Sequence, residues 1–152
     1  MHTHATNSPA SVVEANANPG ERCTPSASVP VVQLEGDDGR HRGLPATSLI
    51  NIGIEAAFHG APATGIAPLT RAIQGATLLA EHAQARWLLG VCLASLGRFG
   101  EAREVLDPLV TSTAADTHWR ALAHTTIASS LRQQSQHIVA QAHDEQALAV
   151  AE

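Results

Sequence analysis

Histidine is the first residue type here that could do chemistry: there are nine in 152 residues. Four of them, His118, His124, His137 and His143, run up to Asp144 and Glu145. Imidazole changes charge near neutral pH and binds metals, so this group is a candidate for acid–base or metal chemistry. The spacing argues against both. His118 and His124 fall on different faces of a helix, and the chain contains neither an HExxH pair nor a CxxC pair. With its helix folded back on the next, His124 is expected to reach Asp144, and a structural hydrogen bond accounts for that pairing as well as catalysis does. His2 and His4 miss the third position that an N-terminal chelate needs. Ser129 and Ser130 have no glycine-framed elbow, and no Gly-rich phosphate loop follows a strand. No catalytic residue, metal or cofactor is expected. A helical enzyme using His118, His124, His143 and Glu145 stands as an alternative.

The charge pattern excludes further classes. All nine basic residues are arginines scattered singly, against fourteen acidic ones, so no basic footprint for a phosphate backbone exists and nucleic-acid binding is not expected. No apolar run approaches the roughly 20 residues of a membrane span, and the start lacks the pattern of a secretory signal. The expectation is a cytoplasmic protein. Two cysteines make no disulfide framework: Cys92 reads as a small buried hydrophobe and Cys23 as an incidental thiol.

Two regions differ in composition. Residues 1–44 are rich in Ser, Thr, Pro, Asn, Gly and Ala and bury too little to offset the entropy of ordering, which predicts a disordered arm. A strand-like piece at Ser28–Leu34 is isolated. From Pro45 the chain turns to Ala, Leu and Ile at helical spacing. The periodicity predicts helices over Ala46–His59, stopping at Gly60, and from Thr64, or Ala67 if Thr64 is not the cap, to about Ala80. Trp87–Leu109 reads as helix, turn at Gly97 and second helix. Asp107-Pro108 is expected to kink that second helix or end it early, with a loop over Thr111–Ala115. Asp116 reads as the N-cap of a helix through Trp119, Leu122, Ile127 and Leu131, and a last helix spans His137–Ala151.

Within Trp87–Leu109, the residues Leu89-Gly90, Leu93, Gly97, Phe99, Ala102 and Leu106 form a pattern that resembles one tetratricopeptide repeat unit. The same positions recur on both sides. Gly53, Gly60, Gly65 and Leu69 precede Gly90, Gly97, Ala102 and Leu106 at one constant step, and Ala128, Ser135, Ala140 and Asp144 follow them at another. The resemblance implies an all-α fold, a short right-handed solenoid of three antiparallel helix pairs with units at about 46–80, 83–115 and 117–152. It also implies that Asp144 sits where a following repeat normally packs.

The resemblance further implies a concave groove lined by the first helix of each pair. Carried over, the lining is Thr47, Ile50, Ile54, Ala57 and Phe58; Gln84, Trp87, Val91, Ala94 and Ser95; and Leu122, Thr125, Ser129, Arg132 and Gln133. The lysine and asparagine with which members of that family clamp a terminal carboxylate are missing there. The expected function is an adaptor that binds a protein or peptide segment through apolar anchors at Trp87, Ile54 and Phe58, oriented by Arg132, without catalysis. A structural reading competes, in which Ile54, Phe58, Trp87 and Val91 are core. A second alternative is a homo-oligomeric element, a homo-dimer for example, that associates through Ile138, Ala142 and Val150 on the last helix. Another is a sensing fragment of a longer regulator.

Overall fold

The structure, a computed structural model, describes residues 41–112 and 115–152. The expected arm up to residue 40, with its strand-like piece, lies outside the described residues, as do positions 113 and 114. The described chain is all-helical, with no strand. It comprises α1 (Ala46–Phe58), α2 (Pro62–Gly75), α3 (Leu79–Ser95), α4 (Phe99–Thr111), α5 (Thr117–Gln133) and α6 (His137–Ala151). None of these helices is long and apolar enough to cross a membrane. A turn at His41–Gly43 leads into α1, so the last residues assigned to the arm are structured.

Three tight turns share one backbone feature. Gly60, Gly97 and Ser135 have φ of 84°, 74° and 61°, the left-handed geometry that lets the last amides of a helix turn back onto its free carbonyls. After α3, Arg98 N–H donates to the Leu93 carbonyl at 2.9 Å; after α5, Gln136 N–H donates to the Leu131 carbonyl at 2.9 Å. Glycine reaches this φ without steric cost, and Ser135 is the only described residue other than glycine that adopts it.

Neighbouring helices meet through a repeated device. A Cβ on Gly53 would lie 2.3 Å from Leu69, and one on Gly90 would lie 2.6 Å from Leu106. Both leucines are fully buried, so each glycine is a notch that admits a leucine from the next helix. At the corresponding place between α5 and α6 stand Ala128, also fully buried, and Asp144, whose carboxylate takes a hydrogen bond from Arg132 Nη1 at 2.5 Å. Asp144 thus takes part in the contact between α5 and α6.

The core forms two clusters. Leu49, Leu69, Leu88 and Cys92 anchor the first, and Leu106, Leu109, Ile127 and Leu131 the second, with Trp87 packed against both. Helix α3 touches α1, α2, α4 and α5, whereas α6 touches α5 alone. Cys92 is fully buried, as its apolar setting implies, and burial pushes its thiol pKa up.

Three expected boundaries need correction. Helix α2 starts at Pro62, with Ala61 in the cap position, so neither Thr64 nor Ala67 opens it; the Thr64 hydroxyl instead donates to the Ala61 carbonyl at 2.8 Å. Pro62 in the first turn is compatible with a helix start. Pro68 lies inside α2, and the carbonyl it leaves unbonded belongs to exposed Thr64, where water can serve it. The same helix ends at Gly75, short of Ala80, and α3 opens at Leu79. Leu78 and Leu79, which a helix running to Ala80 would include, are exposed. Helix α4 continues past Pro108 to Thr111. Glu104, whose carbonyl loses its usual donor there, is exposed, and Thr111 Oγ1 donates to the Asp107 carbonyl at 2.9 Å in the last turn. Asp116 caps α5 as expected, accepting from His118 N–H at 2.8 Å.

Candidate functional site

The residues carried over as groove lining divide by environment. Ile50, at 2% exposure, is core and cannot contact a ligand. Ile54, Gln84, Trp87 and Val91 are half-buried, and Phe58, Thr125, Ser129, Arg132 and Gln133 are exposed. Trp87 links three helices. Its ring centroid lies 6.3 Å from Phe58 of α1 and 5.9 Å from Trp119 of α5, and its indole Nε1–H donates to Thr126 Oγ1 at 3.1 Å. His118 adds an edge contact to Trp119 at 4.9 Å. The result is an aromatic row across α1, α3 and α5, in which Phe58 keeps 59% of its surface exposed.

This row is assembled by helix register. Thr47 Oγ1 at the start of α1 donates to Glu81 at the start of α3 at 2.8 Å, bringing the two beginnings side by side. Trp119 and Thr126 were absent from the expected lining. The available signal was that the chain's only two tryptophans both precede the turns at Gly97 and Ser135, each in the longer helix before the bend. Arg132, expected to orient a ligand, stands in an exposed ion pair with Asp144.

The histidine cluster is broken up. His124 does not reach Asp144. Its Nδ1 lies 3.0 Å from Nδ1 of His143, so one ring donates its Nδ1–H and the other accepts on a lone pair. That contact requires at least one neutral ring. Burial, then the neighbouring His143 and Arg120, lowers the pKa of His124; burial, then Arg103, lowers that of His143, against smaller opposing effects of Asp107 and Asp144. His118 lies in the aromatic row and His137 opens α6, so neither joins the pair. Among the described residues, no three His, Cys, Asp or Glu side chains are grouped to hold a metal ion.

A separate cleft opens beside the histidine pair, between α4, α5 and α6, with a volume of about 560 Å³. Arg103 and Asp107 come from α4, Arg120 and His124 from α5, and His143 and Val150 from α6. No sequence pattern could announce it, since its residues lie on three helices.

No family model matches this chain, and neither a curated protein nor a solved structure matches it.

Proposed function

We propose that this chain is a protein- or peptide-binding adaptor, built as a short solenoid of three antiparallel helix pairs similar to tetratricopeptide repeats and acting without catalysis. The observation that carries the reading is the aromatic row Phe58–Trp87–Trp119, half-exposed and contributed by one helix of each pair. Aromatic side chains that are rigid, amphipathic and only partly covered are the usual anchors of an interface. The recurrence of the Gly53–Leu69 notch as Gly90–Leu106, and of the positive-φ bend at three places, supports the repeat organisation. Gly65 closing on Ala56 at 2.9 Å while Gly53 closes on Leu69 supports an antiparallel first pair, because the contact moves down α1 as it moves up α2. On this reading the ligand is a segment presenting an apolar side chain to Phe58 and Trp87, with Thr125, Ser129 and Gln133 offering polar contacts beyond.

The test is a comparison of the proteins retained by the wild-type chain and by Phe58→Asp, which alters an exposed ring and leaves the core intact. Loss of a specific partner supports the reading; an unchanged set retained by Phe58→Asp and by the gentler Trp119→Leu refutes it.

One observation favours self-association as a second reading. Ile138 is 88% exposed, and Val139 and Leu148 on the same helix are exposed too. Sedimentation equilibrium of wild type against Ala142→Glu separates the readings: a dimer abolished by the charge assigns the last helix to a subunit interface.

A further inference from the structure

The structure assigns a second site, distinct from the aromatic row: the cleft between α4, α5 and α6 binds a small carboxylic acid with an apolar body. Its inner lining carries two guanidinium groups, Arg103 and Arg120, beside the His124–His143 pair, and Val110 and Val150 supply apolar wall. The volume of about 560 Å³ is that of an ordinary small-molecule site.

The charges are poorly neutralised by the protein itself. Asp107 is the only carboxylate of the lining, and it stands 3.9 Å from Arg103 in an exposed pair, a separation with little attraction in water. Among the described residues Arg120 lines the cleft with no acidic partner within ion-pair distance, while its Nε–H, sealed from solvent, is out of a ligand's reach. The terminal Nη groups of a guanidinium without an acidic partner favour an incoming oxyanion, since two N–H groups in one plane match two carboxylate oxygens. The histidine rings strengthen that preference. The two Nδ1 atoms are already used internally, and neither ring places a competing negative charge in the cleft. Apolar wall from Val110 near the end of α4 and Val150 near the end of α6 covers the rest of such a molecule, which gives it an orientation: carboxylate against the arginines, hydrocarbon along the two valines.

A bound carboxylate also opposes the effect of the arginines on the rings, with burial, the larger cause of their lowered pKa, left in place. Arg103 and Asp107 of α4, Arg120 of α5 and Asp144 of α6 are the charged groups acting on the pair. Adding one negative charge there raises the pH at which His124 and His143 protonate.

The probes are octanoate and 1-octanol, which share a tail and differ in the charge, titrated into the full chain while the histidine ring resonances are followed by NMR. Saturable shifts at His124 and His143 with octanoate, at least about tenfold weaker with 1-octanol, support the site; that ratio corresponds to one charge-assisted contact. Arg120→Gln is expected to erase the difference between the probes, and Arg103→Gln, at an exposed position, to reduce it without disturbing the fold. Equal response to octanoate and 1-octanol, no response up to about 10 mM octanoate, or an undiminished response in both variants overturns the assignment.

Discussion

Replacing Gly90 by alanine tests the notch between helices directly. A Cβ at this position would stand 2.6 Å from both Cγ and Cδ2 of Leu106, a side chain with no exposed surface into which to swing. Overpacking of this kind costs about 1–3 kcal/mol. Against it stands the gain of replacing a helical glycine by alanine, about 0.5–1 kcal/mol. The internal reference is Gly100→Ala, near the start of α4, where an added Cβ meets nothing within 4 Å and only the gain remains. Gly90→Ala is therefore expected to be less stable than Gly100→Ala by about 1–3 kcal/mol, read from urea unfolding at equal m-value. Shortening Leu106 opens the space, so Gly90→Ala in a Leu106→Ala background is expected to cost nothing or to stabilise, a coupling of opposite sign to the single change. If Gly90→Ala matched Gly100→Ala, or if the cost persisted without Leu106, the close approach of α3 and α4 would not be what that glycine serves.

Three further outcomes follow from the geometry. Ser135→Gly relieves a left-handed φ of 61° and is expected to stabilise by about 1 kcal/mol, whereas Gly97→Ala loses a similar amount; thermal unfolding of the two variants reads both. Asp116→Ala removes the cap on α5 and is expected to cost about 1 kcal/mol, seen as a lower urea midpoint. The folded chain holds His124 and His143 below their ordinary pKa, so on acidification the unfolded chain takes up protons first. Their contribution to stability is complete above the unfolded histidine value of about 6.5 and is lost as the pH falls through the window beneath it. Urea midpoints measured across that window are expected to fall less steeply for His124→Asn than for wild type, and parallel curves would remove the pair from the explanation.

The bends and the cap were legible in the sequence because each depends on one residue's local chemistry. Glycine at 60 and 97 permits a φ that other residues resist, and Asp116 carries an acceptor that free amides need. The resemblance pointed to Ser135 as a third bend, where φ is indeed positive, although serine by itself gives no such signal. The junction of α2 and α3 was not legible, because Ala76-Thr77-Leu78-Leu79 continues an apolar pattern and only Gly75 marks the break. Nor was the fate of Pro108, which depends on whether a freed carbonyl faces water. Of the candidate site residues, Trp87 and Phe58 were assigned from the resemblance alone, while burial of Ile50 depended on how closely α1 is covered. The choice of His143 over Asp144 as the partner of His124 turns on a step of one residue, about 100° around a helix, which spacing alone does not resolve.

Among the described residues, α6 buries Ala140 alone and leans on a single neighbour. Such an element can detach without disturbing the helices before it, so its amides should exchange with solvent through a low-energy opening while those around Leu88 wait for global unfolding. The chain would then possess two thresholds of cooperativity, and what is exposed at the lower one is the flank of α5 that carries His124 and Leu131.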